Sequence, residues 1–398
     1  GRDFYDVVIV GAGPAGGTAA YDLGAAGKQV LVLEKATLPR YKACGGGISA
    51  RFLAQAFPFS FETVPQARVD AFSYAFDGQQ VRIPLRPGAV TMVMRDQLDA
   101  FILSQADVDV RTGAAVKSVV ETAENVRVET QDGQVYTCGA VIGADGANSV
   151  VARAVGLRRQ RQLVAALEVE ATPPPDVMER FGHEAVFIFG EVPRGYLWIF
   201  PKPGHLSVGI AAMHPGPGVL QETLVRVMAR YGIAVDLKAD TLHGHPIPLY
   251  QRREPIATAR VLLAGDAAGL VDPFSGEGIR YAIKSGRIAA GVILRNRVAR
   301  YMDEIDRQIG RQHAAAIQVA NLFYQLEDIC LWLGAPNPFT TAAIVDMLAD
   351  RASDMDVLRR AIQTLPVYAV TELAAWAAGK IRGAQAAGRI RARVYALA

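Results

Sequence analysis

Hydrophobic and polar positions fall into distinct periods along the chain. After Asp6, the run Asp6–Val10 (DVVIV) is wholly apolar and β-branched, as in a strand covered on both faces. An Ala-rich stretch to Ala26 reads as a helix, and a second apolar run, Gln29 to Leu33, ends at Glu34. Residues 114–142 read as short strands with turns near Asn125 and at Asp132-Gly133, the latter a strong hairpin dipeptide. Strands are expected at Ala71–Phe76, Glu184–Phe189, Gly195–Phe200 and His205–Ala211, forming an antiparallel sheet, and a helix over Val219–Tyr231. The apolar run Val261-Leu262-Leu263 is followed by an amphipathic helix to about Leu294. Residues 299–398 read as all-helical, with apolar positions at Ile305, Ile309, Ile317 and Leu322.

Composition narrows the class. The chain has 398 residues, with 42 Lys+Arg against 39 Asp+Glu, too balanced for a dedicated nucleic-acid binder, so no nucleic-acid partner is expected. Apolar residues make up 51% and charged residues 20%, which excludes a disordered chain and suggests a large core or an apolar ligand. No segment reaches the roughly 18 unbroken apolar residues of a membrane span. The richest, Leu365–Gly379, is interrupted by Pro366, Thr371 and Glu372. The run Gly1-Arg2-Asp3-Phe4 leads straight into a strand with no signal peptide visible. Cys44, Cys138 and Cys330 are too scattered for a disulfide framework or a CxxC metal site, so a reducing, cytoplasmic setting is expected. His243-Gly244-His245 lacks a carboxylate or Cys at ligand spacing, and no metal is expected.

Chemistry enters at the strand ends. Between the first strand and helix stands Gly11-Ala12-Gly13-Pro14-Ala15-Gly16. Here Gly11 makes a tight turn, Gly13 lets the backbone approach a pyrophosphate, and Gly16 packs helix on strand. Ala15 lies in the same helix N-terminus, which faces the phosphates. Glu34, with Lys35 beside it, ends the second strand where a carboxylate can take both ribose hydroxyls. The motif therefore suggests a dinucleotide site. Gly143-Ala144-Asp145-Gly146 puts another acid at a strand's C-terminal edge. An Asx turn that merely holds its own backbone explains Asp145 equally well. Asp266 follows the strand Val261–Leu263 in the same way. Gly276 and Gly278 then free the backbone before Ile279, where helix N–H groups could face a negatively charged ring edge.

The trio GAGPAG, GADG and GDAAG, in that order, resembles the FAD-dependent monooxygenase and prenyl reductase superfamily, whose fold is like that of para-hydroxybenzoate hydroxylase. The resemblance covers about residues 5–290. It implies an α/β fold: a Rossmann-like FAD-binding domain, an inserted antiparallel-sheet substrate domain and an α-helical C-terminal region. The expected FAD domain is discontinuous (1–66, 95–155 and 255–298), the substrate domain is 67–94 plus 156–254, and the C-terminal helical region is 299–398. Met94–Leu103 resembles the family's R-x-x-L-D-x-x-L helix, with Ile102 for the last Leu, and assigns Arg95 to the FAD phosphate or adenosine side.

Two motifs point to the reductase branch. Cys44-Gly45-Gly46-Gly47 resembles the CGGG loop of geranylgeranyl reductases, laid flat against the flavin ring with Cys44 at its head. Tyr196, Trp198 and Phe200, on one face of a strand, resemble that family's YxWxFPK signature, which lines the prenyl cavity; Gly209 follows seven residues after Lys202. Aromatic stripes on strands are more often simple core, and only the neighbouring motifs favour a ligand wall. The GEGI ending matches prenyl reductases better than aromatic hydroxylases, and the W-x-W-x-I motif of flavin halogenases is absent.

The resemblance implies a flavin-dependent reductase that saturates C=C bonds of a geranylgeranyl chain carried on a lipid, a chlorophyll-type ester, a diphosphate or a quinone. NADPH or a ferredoxin-type donor would reduce the FAD, and Cys44 is a candidate proton donor. A basic tail of Lys380, Arg382, Arg389, Arg391 and Arg393 suggests peripheral contact with a membrane, or simply a solvated helix face. Two further readings stay open: an FAD-dependent monooxygenase of an aromatic or polyketide substrate, and a non-catalytic FAD-bound prenyl-lipid carrier.

Overall fold

The computed structural model describes residues 4–158, 162–235 and 242–396; the run Gly1-Arg2-Asp3 lies outside them. The first apolar run forms the strand Tyr5–Val10 at the centre of a sheet, with Val7, Val8 and Ile9 fully buried. Val30–Leu33 and Val135–Gly143 pair with it in parallel on either side, Asp109–Arg111 extends one edge in parallel, and Val261–Leu263 pairs in parallel with Val135–Gly143. Val116–Glu121 and Val126–Thr130 complete seven strands as an antiparallel meander. Because the parallel strands all end on one edge, Gly11, Glu34, Gly143 and Ala264 converge there.

The helix Pro14–Ala25 starts with Pro in its first turn and has no side-chain cap, which leaves N-terminal N–H groups facing that edge. It crosses the helix Ile279–Leu294 so closely that a Cβ on Gly286 would overlap the Ala15 carbonyl. The small side chain of Ala15 permits that crossing.

A second seven-stranded sheet runs in the order Leu242–Pro248, Leu163–Ala171, His205–Ala212, Gly195–Lys202, Glu184–Ile188, Ala71–Phe76, Gln79–Pro84. One pairing departs from the expected antiparallel sheet: Glu184–Ile188 and Ala71–Phe76 run parallel. The two-residue period sorts the strand Gly195–Lys202 cleanly. Leu197 and Ile199 pack with Val208 and Ile210 under the helix Val219–Arg230, whereas Trp198 and Phe200 join Phe72 and Tyr74 on the opposite face. A three-stranded sheet, Gly47–Ile48, Val90–Val93 and Gln66–Val69, ties the glycine loop to this face.

The C-terminal region is helical, through Arg311–Gln325, Pro338–Leu348, Asp354–Arg382 and Ala384–Tyr395. Ile305 and Ile309 are buried as expected, but Leu322 is exposed, because its helix turns that face away from the core. No helix among the described residues is long and apolar enough to cross a membrane.

Candidate active site

A cavity of about 700 Å³ lies between the C-terminal edge of the parallel sheet and the aromatic face of the second sheet. It is lined by Gly11, Gly13, Ala15, Glu34, Lys35, the Cys44–Gly47 loop, Arg95, Asp145, Asp266, Gly276, Gly278, Ile279 and the three aromatics Tyr196, Trp198 and Phe200. Gly16 alone of the sequence-derived site residues stays out of the lining. A Cβ there would overlap the Gly11 carbonyl, so it acts through helix–strand packing.

One end of the cavity is built for anions. Gly11 has φ +101°, and a Cβ on it would overlap the Ala144 carbonyl, so only glycine makes this turn. A Cβ on Gly13 would instead point at guanidinium nitrogens, 3.6 Å from Arg95 and 3.9 Å from Arg40. Arg95 is buried and held by Asp99 through two hydrogen bonds of 2.8 Å, and Arg40 donates to the same carboxylate at 3.1 Å. Burial works against the Arg95 charge, but Asp99 more than offsets it and holds the guanidinium protonated beyond its usual range. Glu34 is buried and already engaged: Oε2 accepts the Ala12 N–H at 2.9 Å and Oε1 the Ala36 N–H at 3.0 Å. A carboxylate offers about four acceptor positions, so capacity for ribose hydroxyls remains.

The two strand-end acids differ. Asp145 accepts from Ser149 Oγ and the Val150 N–H at 2.6 Å and from the Val151 N–H at 3.2 Å, so its carboxylate holds the first turn of the helix Val150–Ala154, whose N-cap is Ser149. Burial nonetheless pushes its acid form up. Asp266 faces Lys42 Nζ at 3.5 Å and His245 Nε2 at 3.9 Å. Burial opposes its ionisation, but Lys42, His245 and Arg95 together hold it well below the usual carboxylate range. Beyond it, buried Asp272 accepts the Phe274 and Ser275 N–H groups at 2.9 and 2.7 Å and shapes the loop that carries Gly276.

The neighbours of the glycine loop leave no room for side chains. A Cβ on Gly45 would stand 2.9 Å from the Phe200 ring, and one on Gly46 (φ +72°) would overlap the Val93 carbonyl. Lys202, buried, donates to the Cys44 carbonyl at 3.1 Å and the Val93 carbonyl at 2.8 Å. Cys44 Sγ accepts the Gly46 N–H at 3.4 Å. On the facing wall, burial pushes the Tyr196 phenol up to about 12, with a smaller push from Cys44. Gly276 approaches that phenol, with a Cβ position 3.4 Å from the hydroxyl.

Sequence reasoning missed Arg40, Lys42, Asp99, Glu168 and the role of Lys202. The basic pair flanking Tyr41 and the Arg95/Asp99 spacing of one helical turn were the signals for the first three. Among the described residues no cluster of His, Cys, Asp and Glu is arranged to hold a metal ion.

These features fit FAD. An uncapped helix N-terminus, two guanidiniums and a side-chain-free Gly13 suit a pyrophosphate, Glu34 a ribose, and the side-chain-free glycine loop a planar ring. Residues 4–290 match the family model described as an FAD binding domain. The chain is 33% identical over 303 residues to a geranylgeranyl diphosphate reductase of Rhodobacter capsulatus, covering 72% of this chain and 74% of that one. It is 30% identical over 341 residues to a menaquinone reductase of Mycolicibacterium smegmatis, covering 79% and 82%. Among solved structures, a geranylgeranyl bacteriochlorophyll reductase-like protein of Thermoplasma acidophilum superposes with TM-score 0.73 at 23% identity, covering 90% of this chain and 96% of that one. A probable FAD-dependent monooxygenase of Pseudomonas aeruginosa gives TM-score 0.62 at 19% identity, covering 81% and 96%. At those identities the structures establish the fold alone. Fold and site define an FAD-dependent oxidoreductase. Within that class, the chain belongs to the geranylgeranyl reductase family.

Proposed function

We propose that this enzyme saturates isolated C=C bonds of a prenyl chain carried on a lipid, a chlorophyll-type ester, a diphosphate or a quinone. One observation carries the reading: the aromatic face of Tyr196, Trp198 and Phe200 stands against the glycine loop, inside the same cavity as the cofactor-binding residues. A long alkyl chain gains about 0.8 kcal/mol for each CH₂ it buries, so an apolar wall favours it over a polar substrate. Bound FAD, once reduced, supplies the hydride.

The chain's own residues do the rest. Gly11, Gly13, Arg95 and Glu34 hold the dinucleotide, Lys202 fixes the loop, and the aromatics exclude water and align the alkene. An isolated alkene has no electron sink, so the carbon opposite the hydride must receive a proton as the bond saturates. Acidic groups that line the cavity include Cys44, the Tyr196 hydroxyl and Glu168. NADPH or a ferredoxin-type protein is proposed as the electron source.

A peripheral membrane seat is proposed for the C-terminal helices. Ile362, Val370, Leu373, Trp376 and Ile381 are exposed along Asp354–Arg382, and Lys380, Arg382, Arg389 and Arg393 flank them. Apolar side chains rimmed by cations suit an anionic lipid surface. Co-sedimentation with phosphatidylglycerol vesicles should be lost in a Leu373→Ser/Trp376→Ser variant; retention would remove this seat. The catalytic reading is tested by anaerobic incubation with reductant and geranylgeranyl substrates. Saturated chains support it, and oxygen-dependent hydroxylation would support the monooxygenase reading instead.

A further inference from the structure

Glu168 sits on the strand Leu163–Ala171, is 2% exposed, and lines the cavity. Its two oxygens are treated differently. Oε1 accepts from Ser207 Oγ at 2.5 Å. Oε2 is buried without a hydrogen-bond partner of normal geometry among the described residues, with the Cys44 backbone close enough to the carboxylate to favour its ionised form. Buried polar atoms are rarely left in that state, and burial without a partner favours the neutral, protonated carboxyl.

The neighbours fix where a proton on this carboxyl must sit. Trp198 Nε1 donates to Ser207 Oγ at 3.2 Å. An indole N–H can only donate, so Ser207 accepts from Trp198 and spends its single proton on Glu168 Oε1. The carboxyl proton is therefore directed to Oε2, on a side chain that lines the cavity. Trp198, Gly209, Glu168 and His243 form one row across three strand pairings. A Cβ on Gly209 would overlap the Trp198 indole, so the glycine is what lets the ring cross its neighbouring strand and reach Ser207.

We propose that Glu168, rather than Cys44, is the general acid of the reaction, delivering the proton on Oε2 to the alkene carbon opposite the hydride. This rests on the prenyl-reductase reading above. The step balances: the O–H bond of Glu168 breaks, a C–H bond forms as the alkene π bond is consumed, and the hydride completes the second C–H bond. The carboxylate left behind regains its proton from solvent after product leaves. Burial raises the Glu168 acid to about 7, with Glu170 adding to the rise; Ser207, Lys202 and the Cys44 backbone oppose it. That is the range in which a carboxyl donates efficiently near neutrality. The charged and titratable groups around it are Glu170 on its own strand, Lys202 and His205 on the sheet, His243 and His245 on the adjoining strand, and Tyr41 and Cys44 from the glycine-loop segment. Glu170 is held by His205 Nε2 at 2.9 Å and by the Tyr41 hydroxyl at 3.4 Å.

The test pairs Glu168→Gln with Cys44→Ser in anaerobic stopped-flow absorbance, using dithionite as reductant and geranylgeranyl diphosphate as oxidant. Glu168→Gln keeps side-chain shape and should bind FAD and become reduced as the wild type does. Its reoxidation by the prenyl chain should be slower by about 10²-fold or more. The wild-type reoxidation rate should fall as pH rises through about 7, and Glu168→Gln should lose that inflection. Independently of turnover, infrared spectra of the FAD-free protein at pH 6 should show a protonated carboxyl band that Glu168→Gln removes; Glu168→Asp controls for folding by restoring part of the rate. Wild-type reoxidation in Glu168→Gln, or a slow step confined to Cys44→Ser, overturns the proposal. A wild-type enzyme that no prenyl chain reoxidises overturns the reductase reading itself, whatever the infrared band shows.

Discussion

Lys202 Nζ, buried at the end of an aromatic strand, donates to the Cys44 carbonyl 158 residues earlier at 3.1 Å, and to the Val93 carbonyl at 2.8 Å. One ammonium thus fastens the glycine loop to the strand that carries the aromatic face. The predicted outcome of Lys202→Met is a folded protein with a loosened loop. The buried Val93 carbonyl loses its partner, at about 1–3 kcal/mol, and the half-buried Cys44 carbonyl loses its own at a smaller cost. The midpoint of chemical denaturation should fall accordingly, and FAD should bind more weakly; unchanged values for both would show that the loop holds itself.

Glu34→Gln separates ribose binding from turn formation. The amide keeps one acceptor oxygen but turns an NH₂ group toward a backbone N–H now satisfied by the carboxylate. FAD affinity measured by fluorescence quenching should weaken by about 1–3 kcal/mol, the scale of hydrogen bonds to a charged group. An affinity equal to wild type would remove Glu34 from the cofactor contacts.

Trp198→Ala should cost more affinity for long prenyl chains than for short ones, because each CH₂ that loses its wall forfeits about 0.8 kcal/mol. Competition binding with geranyl and geranylgeranyl diphosphates measures this. Equal losses at both lengths would assign Trp198 to the core alone.

The site was legible where local pattern dictates it. The run Val7–Val10, the three glycines after it and the alternation of Tyr196, Trp198 and Phe200 each encode their own conformation, and each stands where its period requires. What escaped depends on distant partners. The parallel pairing of Ala71–Phe76 with Glu184–Ile188 joins segments over a hundred residues apart, and nothing in either segment states direction. Glu168 lies in LVAALEVEA, a stretch rich in good helix formers that forms a strand because sheet neighbours on both sides claim it. Asp145 illustrates the opposite limit: a strand-end acid reads the same in sequence whatever it meets, and here it both lines the cavity and accepts the first N–H groups of the helix that follows it.

In the proposed reaction the prenyl chain is the hydride acceptor. Mass spectrometry of geranylgeranyl diphosphate after anaerobic turnover with dithionite-reduced enzyme tests it most directly. The account predicts products heavier by successive pairs of hydrogens, with flavin reoxidised in step with each pair added. Substrate recovered unchanged beside fully reduced flavin, with oxygenated product formed only once air is admitted, would contradict it.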